Sequence, residues 1–508
     1  MSPTVLFGLI GALLVCYFLF RGNTPIGKPM RVAPNGTPGE SWYIESTPQV
    51  DTPHSCSFVE FDGHGDYIDF KQHEHAWQTV KRLAEAQPLI LVTYCHGWKN
   101  NSQSYDVVKF VDFLGRLAAT TKYRVHGVYL GWRGNLYRPY VDTGTAATAY
   151  ADTKERFGGP VVSTRWSRRH AWASRVQENF SYWSRRRAAE FKVSGVPMAR
   201  TIYTCASLVK SIDKDKGRAA NQSASSRVLV LGHSFGALML ERALNATCLD
   251  PLMNQWSWFT RTAEQKLPES AHPDPMPLDF VLFVNSAAPS VYAKAMRDFL
   301  AAHQSALVHA GTVAAFAPVF VSITSSADSA TRYAHPAANL LCGLYASLRR
   351  NYTDLIKMNV PRPVRQSWFY RRTPGHQPLL VDHWLSDSSS KLTPPASHPA
   401  VLKENLQSTQ PLGFWAHASG PNGAVQRWKL TLQPASADGK WVAKFGPLHP
   451  SHCSYWFIRC DKRIIRDHND IWSDTAMEVY AALYRLVDWS RNPSNPSNQV
   501  LRDYWSGK

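Results

Sequence analysis

The chain has 508 residues, 44% of them hydrophobic and 12% aromatic, enough apolar surface for a packed interior and too much for wholesale disorder. Its 56 Lys and Arg against 38 Asp and Glu give a net charge of +18, which favours anionic partners such as phospholipid headgroups or nucleic acid without separating the two. The eight cysteines show no C-x-x-C spacing, so neither a zinc ribbon nor a disulfide framework is indicated.

Thr4 to Phe20 carries no charge, and as a helix it would span about 26 Å, close to the hydrocarbon thickness of a bilayer. Residues 1–21 are therefore read as a transmembrane anchor. Met1-Ser2-Pro3 lacks the basic start of a cleaved signal peptide. Arg21, Lys28 and Arg31 all follow the span, so the charge bias makes this a single-pass membrane protein whose remaining domain faces the cytoplasm. Residues 22–40, rich in Pro, Gly and Asn, read as a linker.

Two short β-like runs follow, Trp42 to Ile44 and Ser57 to Phe61. The second leads through Asp62-Gly63-His64-Gly65-Asp66 into Tyr67 to Phe70, the pattern of a hairpin. Leu89 to Tyr94 is a fully apolar strand run ending in Cys95-His96-Gly97-Trp98, and Asp106 to Ala118 then has helical spacing. Val125 to Trp132 is the next strand.

From Arg165 to Lys192 cations alternate with aromatic rings. Trp166, Trp172, Trp183, Arg185 and Arg186 are the candidates for contact with a substrate or membrane surface, where rings sit among headgroups and cations meet phosphates. The same composition suits single-stranded nucleic acid, and it equally suits a solvated face. Val196 to Ile212 is an amphipathic helix.

Val228 to Leu231 is a buried-strand run that passes directly into Gly232-His233-Ser234-Phe235-Gly236 and then into a helical run, Ala237 to Leu244. Strand, G-x-S-x-G and helix in that order is the pattern of a nucleophile elbow. The serine sits on a sharp turn whose crowding leaves no room for side chains two residues to either side. Asp279 to Val284 and Val319 to Thr324 are further buried strands, the second followed closely by Asp328. Buried strands separated by helical stretches imply a parallel sheet covered on both faces. Leu249 to Met276 is irregular and suits a lid or a long connection. Residues 341–450 are poorly periodic, with a hairpin indicated around Ala437 to Lys440. Tyr455 to Ile458 is a last apolar run, leading to Arg466-Asp467-His468 and a helix opened by the capping box Thr475-x-x-Glu478.

The elbow, the His-Gly-Trp loop and the alternation of strands and helices resemble the α/β-hydrolase superfamily of lipases and esterases, over roughly Trp42 to Val487. That resemblance implies a mostly parallel central sheet with helices on both faces. It also implies a triad in the chain order Ser, acid, His, with the acid after the second strand beyond the elbow and the histidine after the last strand. Counting strands selects Ser234, Asp328 and His468. The loop and the elbow would supply two backbone N–H donors for a developing oxyanion, those of Trp98 and Phe235.

On this reading residues 41–340 form the first part of the core, 341–450 an insertion or cap, 451–490 the last strand and helix, and 491–508 a tail. The long separation of Asp328 from His468 exceeds what one crossover needs and points to the same insertion. The expected activity is cleavage of carboxylic esters, of a lipid or phospholipid at an anionic membrane surface, with no cofactor, no metal and no nucleic acid. The alternative is a non-catalytic protein of the same fold that binds membranes or nucleic acid through its basic aromatic surface.

Overall fold

The computed structural model describes residues 42–45, 53–102, 104–121, 123–134, 182–218, 225–249, 277–309, 318–336, 372–377, 380–387, 412–416, 426–432 and 454–490. The chain divides into two compact units, Met1–Ile212 and Asp213–Lys508, each an α/β assembly of mostly parallel strands and helices.

The first unit contains β1 (Tyr43–Glu45), β2 (His54–Phe61), α1 (Phe70–Ala86), β3 (Leu89–Cys95), α2 (Tyr105–Thr121), β4 (Arg124–Trp132) and α3 (Tyr182–Ala188). A π-helical turn (Ala189–Val193) and α4 (Val196–Asp215) follow. Its strands lie in the order β1-β2-β4-β3, with β1 antiparallel to β2 and the others parallel. All seven residues of β3 are buried, which is why this strand is a near-continuous apolar run, with Thr93 the polar exception, rather than an alternating one. Tyr94 of β3 stacks on Phe110 of α2 at 4.9 Å and meets Tyr129 of β4 edge-on at 5.5 Å. Full burial of each ring contributes roughly 1.5–3 kcal/mol, and an unpartnered hydroxyl would offset much of that. Asp106 removes the penalty by accepting from the Tyr94 and Tyr129 hydroxyls at 3.0 and 3.1 Å.

The hairpin expected after β2 is reduced to one bridge, Phe61 to Tyr67. Asp69 caps α1, its carboxylate accepting the Lys71 N–H at 2.9 Å, and this ends the extended run. In the turn before it, Asp62 accepts from the N–H groups of His64 and Asp66 at 2.7 and 3.0 Å. Its carboxylate is thus committed to shaping the loop.

The second unit contains β5 (Arg227–His233), α5 (Phe235–Leu249), β6 (Phe280–Val284), α6 (Ser290–His309), β7 (Phe320–Ser325) and a π-helical turn (Ala330–Ala334). A 3-10 turn (Pro374–His376), β8 (His383–Asp387), β9 (Leu412–Ala416), β10 (Gln426–Leu432), β11 (Tyr455–Cys460) and α7 (Asp474–Ser490) complete it. The strand order is β5-β6-β7-β11-β8-β10-β9. Strands β5 to β8 of that row run parallel, and β10 lies antiparallel between β8 and β9. Because parallel strands all end on one edge, the segments that follow β5, β6, β7 and β11 emerge together there.

The described stretches of 341–450 include three strands of this sheet, and β10 pairs with β8 and β9 rather than with a following strand around residues 437–440. That turn, the remainder of the expected cap, the lid candidate 249–276, the linker 22–40 and the tail 491–508 all lie wholly or almost wholly outside the described residues. So does the anchor expected over Thr4 to Phe20. Among the described residues no helix is long and apolar enough to cross a membrane. Helix α7 opens two residues earlier than expected, with Ser473 rather than Thr475 as its cap: the Ser473 hydroxyl accepts the Ala476 N–H at 3.3 Å.

Candidate active site

Ser234 stands between the end of β5 and the start of α5 with φ of +54°, left-handed backbone that a residue with a side chain adopts only when its surroundings impose it. Here three hydrogen bonds do so. The Ser234 N–H donates to the Val284 carbonyl at 3.1 Å, and the Ser234 carbonyl accepts from the N–H groups of Leu238 and Ala287, each at 3.1 Å. Gly232 is needed for the same reason. A Cβ there would stand 2.6 Å from Leu240 Cδ1 and 2.9 Å from the Ala237 N and Cα.

The loops after β7 and β11 bring two more groups to this edge. His468 Nε2 lies 2.7 Å from Ser234 Oγ, and His468 Nδ1 lies 3.0 Å from Asp328 Oδ2. A carboxylate only accepts, so Nδ1 carries the proton and Nε2 is left as the acceptor for the serine hydroxyl. Asp328 has no exposed surface, whereas the His468 side chain is 17% exposed. Burial alone would raise the Asp328 pKa. The His468 charge, its hydrogen bond and two more from Thr331 outweigh burial and hold it at about 2. The carboxylate is therefore ionised at any ordinary pH and stabilises a positive charge on His468.

Three residues that the sequence reading did not single out fix this arrangement. His233 Nε2 lies 2.8 Å from the main-chain carbonyl of His468. Asn285 Nδ2, one residue past β6, donates to the same carbonyl at 3.1 Å and to that of Asp467 at 3.2 Å, while its Oδ1 accepts the Ser325 N–H at 2.9 Å. Ser325 Oγ donates to the Ile465 carbonyl at 2.6 Å. The ends of β5, β6 and β7 thus each hold the loop that carries His468. The available signal was positional: polar residues directly after buried parallel strands.

Of the remaining expected site residues, Phe235 directly follows Ser234, and the others fall in the first unit or outside the described residues. Phe235 is the first residue of α5 and is buried. Trp98 belongs to the first unit, half-buried after β3, and meets Tyr182 edge-on at 5.2 Å. His96 is packed beneath that loop, its Nε2 accepting the Trp132 N–H at 3.1 Å. Trp166 and Trp172 lie outside the described residues, and Trp183 is in α3.

Arg185 and Arg186, expected on an exposed basic face, are 4% and 8% exposed. Arg185 donates to the Arg133 carbonyl at 3.1 Å and Arg186 lies 3.7 Å from Glu190. Their charge is spent inside the first unit because α3 turns that side of the helix inward. Among the described residues no cluster of His, Cys, Asp or Glu has the make-up of a metal site.

A hydroxyl hydrogen-bonded to a neutral imidazole, itself oriented by a buried carboxylate, is able to act as an activated nucleophile. No family model matches the sequence, and no curated protein matches it. A solved structure of an uncharacterized protein from Pseudomonas aeruginosa is similar at 11% identity and a TM-score of 0.19, over 54% of this chain and 42% of that one. This chain therefore spans less than half the length of that protein.

Proposed function

We propose that this chain is a serine hydrolase of the α/β-hydrolase type that cleaves carboxylic esters through an acyl-enzyme on Ser234, acting on lipids or phospholipids. The observation that carries the reading is the continuous chain from Ser234 Oγ through the His468 ring to the buried Asp328 carboxylate. Ser234 Oγ attacks the ester carbonyl as His468 takes its proton, and the alkoxide leaves with that proton. Water then attacks the acyl-serine, His468 again takes a proton, and Ser234 Oγ recovers it as the acid departs. The Phe235 N–H, at the N-terminus of α5, is the oxyanion donor assigned within the second unit.

Lipid as the substrate class rests on the apolar stretch Thr4 to Phe20 and the net charge of +18, which suit an anionic membrane surface. The test is a panel of esters, triacylglycerols and phospholipids, each with and without vesicles, assayed on wild type and Ser234→Ala. Turnover by wild type alone supports the reading. Ester turnover surviving in Ser234→Ala removes it.

A further inference from the structure

Asn285 is the first residue beyond β6, and Ser234 is the first beyond β5. The two lie side by side, because His233 and Val284 are paired in the ladder between those strands. Both have left-handed backbone, with φ of +46° and +54°. The main chain joins the two turns: the Ser234 N–H donates to the Val284 carbonyl and the Ala287 N–H to the Ser234 carbonyl, each at 3.1 Å. Left-handed backbone favours Gly, Asn and Asp, and of these only Asn brings both a donor and an acceptor on its side chain.

Asn285 has no exposed surface, and it uses donor and acceptor on different segments. Its main-chain N–H and its Oδ1 face β7, the first donating to the Ile323 carbonyl and the second accepting the Ser325 N–H, each at 2.9 Å. Its Nδ2 faces the loop between β11 and α7, donating to the carbonyls of Asp467 at 3.2 Å and His468 at 3.1 Å. These partners fix the amide's orientation, since a flip would set its oxygen against two carbonyls. Ser325 in turn accepts the Asp328 N–H on its carbonyl at 3.2 Å. The contact of His468 Nδ1 with Asp328 Oδ2 at 3.0 Å then closes a ring of hydrogen bonds through Asn285, Ser325, Asp328 and His468. We propose that Asn285 is a positioning residue for the proton relay: its carboxamide sets the separation of His468 from Asp328 and so keeps the imidazole aimed at Ser234. It acts through His468 rather than on the reacting atoms. A ring carried on a loop holds its place only where a rigid element fixes it, and the paired ends of β6 and β7 supply that element here. The catalytic consequence rests on the hydrolase reading; the placement of His468 does not.

The experiment uses the full chain, as wild type, Asn285→Gly and Asn285→Asp. Glycine keeps the left-handed backbone and removes the amide. Aspartate keeps the shape and the acceptor and removes the paired N–H donors, so it serves where the glycine variant fails to fold, which the denaturant midpoints reveal. Three quantities are measured: kcat and KM for p-nitrophenyl butyrate, the rate at which a fluorophosphonate labels Ser234, and the far-downfield proton resonance of the His468 Nδ1–H that faces Asp328. The expected result in a folded variant is a fall of about ten- to hundredfold in kcat with KM unchanged. The labelling rate should fall in parallel, and the resonance should move upfield or broaden away. Wild-type kcat in a folded variant would overturn the proposal, and so would a lowered kcat with the resonance unmoved, since the loss would then not come from the place of His468. A wild type that neither turns over ester nor takes the label would remove the hydrolase reading. The resonance, compared across the three proteins, would still decide whether Asn285 sets the bond between His468 and Asp328.

Discussion

His233 Nε2 lies 2.8 Å from the carbonyl oxygen of His468, so the residue before the nucleophile tethers the residue that is to act as its base. The bond lets β5 set the distance between Ser234 and His468 from both sides. A neutral hydrogen bond of this kind contributes about 1 kcal/mol. His233→Phe keeps the ring that lies 5.1 Å from the His468 ring and removes the donor. The expected effect is a fall in kcat of roughly five- to tenfold with KM unchanged, because a positioning bond affects the reacting geometry and not substrate affinity. Steady-state kinetics on a soluble ester checks it, and an equal change in KM would count against a positioning role.

The tight passage between β5 and α5 makes Gly232 a second test. In Gly232→Ala the new methyl meets backbone atoms of Ala237 that have no room to withdraw. Overpacking of this kind costs about 1–3 kcal/mol, and the displacement falls on the turn that holds Ser234. A lowered denaturant midpoint together with lost activity is expected. Full activity at unchanged stability would show that the turn relaxes freely.

The elbow was legible in the sequence because its requirements are local. Gly232, Ser234 and an apolar strand run are all contained in Val228 to Gly236, and the observed β5 and α5 extend the expected bounds by only a few residues. Asp328 and His468 were reachable by counting buried strands, since a strand buried on both faces is a continuous apolar run. Long-range pairings were not legible. That β8 and β10 join the sheet depends on hydrogen bonds between backbones, which leave no periodicity in a Pro- and Ser-rich stretch. The inward turn of Arg185 and Arg186 depends on Glu190 and the Arg133 carbonyl, and an arginine reads the same in sequence whether it faces water or a buried acceptor.

Buried histidines give the first unit a defined acid sensitivity. Burial pushes His73 and His96 down to about 4 and His126 to about 3. Unfolding frees each to bind a proton near the ordinary histidine value of about 6.5. Their contribution to stability is therefore complete above about pH 6.5 and is lost as the pH falls towards 4. Each contributes up to about 1.4 kcal/mol per pH unit within that window. The expected observation is a steep fall in the denaturant midpoint between pH 6.5 and 4. The slope should flatten in His126→Gln, and an unchanged slope there would contradict the account.

Glu241 works in the opposite direction. It is buried in α5, beside Leu244, Phe283 and Met296, and burial raises its carboxyl to about 8. The native group holds a proton that the unfolded chain releases above about pH 4.3. Its contribution is thus present below that pH and declines as the pH rises towards 8. Glu241→Gln removes the titration while keeping the shape, so it should stabilise the protein at pH 8 by on the order of 1–3 kcal/mol relative to its effect at pH 5. Denaturant titrations of both proteins at the two pH values check this. A variant equally affected at both would mean that Glu241 does not titrate on unfolding.

Covalent labelling reads the reactivity of the Ser234 hydroxyl directly. The full chain is treated with a fluorophosphonate, the adduct is located by mass spectrometry, and ester hydrolysis is compared between wild type and Ser234→Ala. The expected result is a single adduct on Ser234, with hydrolysis in the variant reduced on the order of 10⁵- to 10⁶-fold. An unlabelled Ser234, or ester hydrolysis intact in Ser234→Ala, would contradict the claim.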